Sequence, residues 1–362
     1  MPAINVNDIT FHYTDSGLPV DKEEYPTLFV IHGHTFHSGI NEIFRPLFPV
    51  AGAHSLRIIC IDRREYQGST PYTTDELSVI NEGTDAERLE LLTLEGVYLA
   101  LGIERLIREL HLPVRGGGAL AGWSLGNVFS LAVINAISHL SLSEGVKTTL
   151  KVFIRTFIIL DPPFQVLGLS SPPEDYSPLW DNDIPEAERG VAFASWISSY
   201  FIHDADTLGH RDPSKLNQRN PSSKTATTVK MTTEELLSVT DFLPGPKCDT
   251  AFGGHGPAYH SALRLNSQNA LFDADPNINK WDFRSVVHLY GVESAWSIIY
   301  AVWALEEKDR ASKRIKFRPI EGANHFSLSS DMSTSTPAEE YKMMWDEPEV
   351  TVAVLKECIA GV

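Results

Sequence analysis

The chain has 362 residues, with 30 Lys and Arg against 47 Asp and Glu, a net charge of −17. With 43% hydrophobic and 21% charged residues it is globular, with ample material for a large core. The acidic balance argues against a nucleic-acid or anionic-membrane surface, because such surfaces are built from clustered Lys and Arg. Three cysteines, Cys60, Cys248 and Cys358, lie far apart and form neither a disulfide framework nor a CxxC zinc knuckle. No secretory signal pattern opens the chain and no apolar run approaches the ~20 residues of a membrane span, so a cytoplasmic protein is expected.

In chain order, segments 9–17, 27–34 and 56–64 read as strands. The last two are continuous apolar runs of the kind buried on both sheet faces. A short helix is expected over 40–53 and a long one over about 84–110, ended by Pro113 and Gly116–Gly118. Residues 118–124 form a strand that runs directly into a helical pattern, and 153–161 form a further buried strand stopped by Pro162 and Pro163. The texture changes over 164–284, which is rich in Pro, Ser, Asn and Asp, with helical islands at 191–202 and 233–243. That stretch reads as an insertion, a lid, on a core formed by 1–163 and 285–362. Core order returns with a strand at 285–291, a helix over 295–307, a strand at 314–322 and a C-terminal helix over 338–359. Alternation of strand and helix predicts a mainly parallel sheet with covered faces.

Gly122-Trp123-Ser124-Leu125-Gly126 fits G-x-S-x-G between a strand and a helix, the context in which the serine sits on a sharp, exposed turn. The alternative is an ordinary helix N-cap serine. After the second strand comes His32-Gly33-His34-Thr35, where the N–H of His34 (or Thr35), with that of Leu125, would form an oxyanion hole. A rival assigns His32, His34 and His37 to a metal, but no HExxH or supporting carboxylate pattern accompanies them. His255 and His260 read as a loop, not a metal pair. His325, in Gly322-Ala323-Asn324-His325-Phe326 past the last strand, follows the serine in order and lies at the same sheet edge, as a general base should.

On the segments HGH (32–34), IDRREYQGS (61–69), GWSLG (122–126), ILDPP (159–163), LYGVES (289–294) and GANHF (322–326), the chain resembles the α/β-hydrolase superfamily. A weaker resemblance points to fungal lactonases, esterases and toxin-biosynthesis hydrolases. The resemblance implies an α/β-hydrolase fold: an eight-stranded, mostly parallel sheet, helices on both faces and a helical lid after the sixth strand. It implies a Ser124–His325 pair, no metal or organic cofactor, and a small-molecule substrate; a homodimer is left open. The family usually carries its acid as G-x-x-D after the seventh strand, but here the stretch is Gly291-Val292-Glu293-Ser294. Asp161, at the end of the sixth strand, is the favoured substitute and Glu293 the alternative. Arg63 and Arg64 read as structural ion pairs. Phe36, Trp123, Trp196 and Tyr259 are candidates to line an apolar pocket; a stripe such as Phe193, Trp196 and Tyr200 also fits simple lid core. The expected activity is a serine hydrolase, an esterase or lactonase acting on a fairly apolar molecule. Alternatives are a carbon–carbon bond hydrolase or lyase on the same pair, or a non-catalytic binding homologue.

Overall fold

The computed structural model describes residues 2–20, 22–37, 43–172, 174–253, 257–272, 281–326 and 348–361. Eight strands form one sheet: β1 (Ala3–Val6), β2 (Ile9–Asp15), β3 (Thr27–Ile31), β4 (Arg57–Ile61), β5 (Gly118–Trp123), β6 (Ile154–Leu160), β7 (Ser285–Gly291) and β8 (Ile315–Ile320), in the order β1-β2-β4-β3-β5-β6-β7-β8. The β1–β2 and β2–β4 pairs are antiparallel and every other pair is parallel.

The central strands are apolar throughout because both their faces are covered. Phe29, Ile31, Ile59, Ile61, Leu120 and Phe157 join one buried cluster, while Leu28, Val30, Ile58, Cys60, Ala121 and Ile158 join the other, following the two-residue alternation of a strand. The first cluster is roofed by α3 (Asp85–Glu109), α4 (Gly126–Ala136) and α5 (Glu144–Phe153), the second by α1 (Phe48–Ala53) and α13 (Pro348–Ala360). Helix α2 (Thr74–Glu82) and α3 both begin on capping boxes, Thr73 with Glu76 and Thr84 with Glu87. In each, the threonine and glutamate satisfy amides that a helix start otherwise leaves unpaired.

The chain between β6 and β7 carries α6 (Glu186–Ile197), α7 (Ala205–His210), α8 (Thr227–Lys230), α9 (Thr233–Val239), α10 (Thr250–Phe252) and α11 (Pro257–Leu271). This stretch divides. Tyr259, Ala262, Leu263 and Leu271 of α11 belong to the core cluster against α3 and α4, whereas α6 and the 3-10 turn Pro178–Trp180 lie near the carboxyl ends of the strands, where both contribute to the cavity around Ser124. Helix α12 (Trp296–Asp309) follows β7. The helix expected over 40–53 is observed only as a 3-10 turn, Arg45–Leu47, leading into α1, and residues 40–42 lie outside the described residues. So do His255, the Ser/Thr-rich stretch 327–336 and the first part of the expected C-terminal helix. Among the described residues, no helix is long and apolar enough to cross a membrane.

Candidate active site

Thr35 (φ 68°), Ser124 (φ 53°) and Asp161 (φ 45°) are among the non-glycine residues that adopt left-handed backbone at the carboxyl edge of the sheet. Each such residue costs about 1–3 kcal/mol, so the surrounding structure must impose it. For Ser124 the imposition is visible. Its N–H donates to the Leu160 carbonyl at 2.9 Å, which places the turn between β5 and α4 beside the end of β6. A Cβ on Gly122 would come within 2.3 Å of Ser130 Oγ, and one on Gly126 within 2.0 Å of the Ile31 carbonyl oxygen. Only glycine fits on either side of this serine, and the tight turn aims the N-terminus of α4 at it.

Asp161 follows β6 directly and is buried, as is His325. His325 Nδ1 lies 3.3 Å from Asp161 Oδ2. The other carboxylate oxygen, Oδ1, accepts from the Gly291 N–H at 3.0 Å, and Oδ2 also accepts from the Ser294 hydroxyl at 3.2 Å. The imidazole is held further by Trp123. Their rings stack at 5.1 Å between centroids, and the indole N–H donates to the His325 carbonyl at 3.2 Å. Glu293 turns elsewhere: one oxygen accepts from Lys224 Nζ at 2.8 Å and its backbone N–H donates to Ala323.

The loop after β3 carries His34 into the same cavity as Ser124 and Leu125. The Thr35 N–H donates to the Tyr66 hydroxyl at 3.1 Å and is thereby engaged. The N–H groups of His34 and Leu125 donate to nothing among the described residues. Below the loop Arg63 forms a structural ion pair, as its sequence context suggests, in a buried network whose partner Asp249 the residue pattern did not reveal. Arg63 makes a two-pronged pair with Asp249, at 2.8 and 2.7 Å, and donates to the carbonyls of His32 (3.1 Å) and Gly33 (2.9 Å). The Tyr66 hydroxyl donates to the same carboxylate at 2.5 Å. Burial alone would raise the Asp249 carboxyl, but the Arg63 guanidinium outweighs it and brings it down to about 2. The segment after β6 grips the loop a second time: the Asp241 N–H donates to the Thr35 carbonyl at 2.8 Å, and Phe36 bridges to Thr240. Arg64 forms its own pairs, with Glu76 and Glu95.

His32, His34 and His37 do not converge. His32 Nε2 accepts the Arg63 N–H at 3.1 Å, so its proton sits on Nδ1 and is donated to the Gly33 carbonyl. Burial, followed by Arg63, holds its pKa well below the ordinary value, so the ring is neutral. His34 Nδ1 faces the Thr35 hydroxyl at 2.7 Å. Among the described residues no three His, Cys, Asp or Glu side chains are grouped to hold a metal.

A cavity of about 60 Å³ opens over Ser124, walled by Val166, Trp180, Phe193, Trp196 and Ile197 among others. It adjoins a wider one of about 890 Å³; His34, Leu179 and Thr250 belong to both walls. Of the four residues expected to line a pocket, Trp196 does so. Phe36, Trp123 and Tyr259 do not, which corrects that expectation. Trp123 precedes the serine on β5 and so points to the opposite face, into the cluster with Phe36, Phe44 and Phe326. Tyr259 lies in the core against Phe252, with the Arg88 guanidinium 4.9 Å from its ring centroid. Phe193, read as simple lid core, is on the cavity wall, whereas Tyr200 is buried and does not line it.

Strand order, the antiparallel second strand and the serine turn between β5 and α4 together define the α/β-hydrolase fold. No protein-family model matches the chain, and no curated protein does. Among solved structures, the chain is similar to epoxide hydrolase A from Mycobacterium thermoresistibile at 14% identity, covering 99% of this chain and 98% of that one, with a TM-score of 0.48. A putative aryl esterase from Burkholderia cenocepacia shows 15% identity, 99% and 98% coverage and a TM-score of 0.48. Est1E from Butyrivibrio proteoclasticus, solved with ferulic acid, shows 13% identity, 100% and 98% coverage and a TM-score of 0.45.

Proposed function

We propose that the protein is a serine hydrolase that cleaves an ester or lactone of a fairly apolar small molecule through an acyl-enzyme. The observation that carries this reading is the 3.3 Å contact between Asp161 and His325 beside a serine held in left-handed backbone at a strand–helix turn. Ser124 Oγ attacks the carbonyl carbon while His325 Nε2 takes its proton. The N–H groups of His34 and Leu125 receive the negative charge that develops on the carbonyl oxygen, a contribution of about 2.7–4 kcal/mol per donor. Collapse breaks the carbon–oxygen bond, and the alkoxide leaves with the proton from His325. Water, deprotonated by the same imidazole, then attacks the acyl carbon and frees Ser124. Asp161 keeps the proton of the resting imidazole on Nδ1 and stabilises the imidazolium.

The carboxylate nucleophile that epoxide hydrolysis uses in this fold has no counterpart at residue 124, which favours acyl transfer. The mostly apolar wall of the inner cavity favours an apolar group next to the reacting carbonyl. The segment between β6 and β7 supplies much of that wall, and in this reading it is the lid. A fluorophosphonate probe should label Ser124 and abolish hydrolysis of p-nitrophenyl butyrate, and Ser124→Ala should abolish both. Labelling without turnover of any ester or lactone would indicate a binding protein. No labelling of the folded protein would overturn the nucleophile.

A further inference from the structure

The 3-10 turn Phe164–Leu167 begins three residues after Asp161 and carries one polar side chain, Gln165, to the wall of the inner cavity. As placed, its Oε1 has no hydrogen-bond partner among the described residues and no surface open to the cavity, so a half-turn of the side-chain amide is what presents it there. The turn is firmly seated. Phe164, Val166 and Leu167 are all buried, the Val166 N–H donates to the Pro163 carbonyl at 3.2 Å, and the Gly168 N–H donates to the Gln165 carbonyl at 2.8 Å. Three other polar side chains on the same wall are already engaged. The Ser177 hydroxyl accepts from the Leu179 N–H, the Trp196 indole donates to Gln218, and the His34 ring faces the Thr35 and Thr250 hydroxyls.

We infer that Gln165 determines specificity by turning its side-chain amide so that Oε1 accepts a hydrogen bond from a hydroxyl on the part of the substrate that enters the inner cavity. The substrate is then a hydroxyl-bearing ester or lactone and not a plain alkyl one. This inference rests on the hydrolase reading above and narrows its substrate class. A buried carbonyl oxygen left unpaired carries a desolvation cost, which a substrate hydroxyl removes and a methylene does not. Sites that place a polar group for a substrate hydroxyl reject the analogue lacking it far more strongly than apolar pockets reject a missing methylene. The aromatic walls formed by Trp180, Phe193 and Trp196 take the apolar remainder.

The test compares kcat/KM of the full-length protein on two matched pairs. These are p-nitrophenyl butyrate against 3-hydroxybutyrate, and p-nitrophenyl 3-phenylpropionate against 3-(4-hydroxyphenyl)propionate. The wild type should prefer the hydroxylated member of at least one pair by about tenfold. Gln165→Leu, of similar size but without an acceptor, should bring that ratio close to one. Gln165→Glu, which keeps an acceptor, should retain a preference, and matching melting temperatures would exclude misfolding of either variant. Equal rates for both members of each pair in a wild type that a fluorophosphonate labels would overturn this inference alone. A preference that survives Gln165→Leu would overturn it too. A wild type that is neither labelled nor active on any of the four esters would overturn the hydrolase reading and this inference with it.

Discussion

The Ser294 hydroxyl donates to Asp161 Oδ2 at 3.2 Å, the same oxygen that lies 3.3 Å from His325 Nδ1. In the resembling family the position of Ser294 usually holds the acid itself. In the proposed mechanism the acid comes instead from the neighbouring strand end, as Asp161, and Ser294 is its hydrogen-bond donor. The Gly291 N–H on the other oxygen completes the anchorage, so the carboxylate is fixed by β7 although it belongs to β6. Asp161→Asn should lower kcat by a factor approaching ~10⁴, because the amide favours the wrong imidazole tautomer. Glu293→Gln should cost no more than a few-fold, since Glu293 is engaged with Lys224. Steady-state kinetics on p-nitrophenyl butyrate with both folded variants decides the ranking. The reverse order would transfer the role to Glu293, and two mild effects would leave a Ser–His dyad.

Asp249 ties stability to acid pH. Its carboxyl is depressed from 3.8 to about 2 in the fold, the Arg63 guanidinium outweighing burial. A carboxyl whose folded pKa is lowered contributes its full stabilisation above the unfolded pKa and loses it as pH falls through the folded one. The contribution, about 2 kcal/mol, should therefore be complete above about pH 4 and disappear toward pH 2. Asp249→Asn leaves Arg63 buried without its counter-ion and should cost about 3–5 kcal/mol at pH 7. Urea denaturation at pH 7, 4 and 3 should show the gap between wild type and variant narrowing as pH falls. A gap that does not change with pH would mean that Asp249 is not titrating in this window.

Glu95 should behave in the opposite sense. Burial raises its carboxyl from 4.5 to about 7, against the pull of Arg64. Between those values the folded state holds the proton more tightly than the unfolded chain, so rising pH removes stability. Arg64 does not depend on it alone, because Glu76 grips the guanidinium at 2.7 and 2.8 Å. Glu95→Gln keeps an acceptor for Arg64 and removes the titration. The variant should be at least as stable as wild type at pH 8, with its relative stability growing from pH 4.5 to 7. A difference flat across that range would show Glu95 ionised throughout.

Truncating the aromatic wall should alter substrate length preference. Phe193 and Trp196 line the inner cavity from α6, and Trp196 also donates to the Gln218 carbonyl at 2.9 Å. Phe193→Ala, which breaks no such bond, should open room for longer acyl chains. Each methylene newly buried is worth about 0.8 kcal/mol, about fourfold in kcat/KM. The ratio of p-nitrophenyl octanoate to butyrate turnover should accordingly rise. A ratio unchanged in both Phe193→Ala and Trp196→Leu would make this segment a cover that does not select.

Legibility from the residues alone followed burial. Strands β3 to β7 stand out because each is dominated by apolar residues, and the serine turn stands out because glycine is demanded on both sides of it. Strand β1 was missed: it has four residues and buries only Ile4 and Val6. Helix α5 was missed although Ser143 caps its first turn and its apolar face is marked. Trp123 was misplaced because adjacency in sequence to Ser124 means opposite faces in a strand. Asp249 was invisible for a different reason: its ion pair forms only where the segment after β6 folds back over the loop after β3, and no local pattern encodes that meeting.

That meeting limits how the scaffold can be rebuilt. The positive charge beneath the His34 loop lies just after β4, at Arg63, while the negative charge that balances it arrives on the segment between β6 and β7, at Asp249. Grafting a foreign segment between β6 and β7 would leave that charge uncompensated and would take the Asp241 N–H away from the Thr35 carbonyl. A viable graft must carry a carboxylate to the same point, or be made together with a neutral replacement of Arg63. If that segment selects the substrate as proposed, its specificity and the charge balance of the interior cannot be redesigned one at a time.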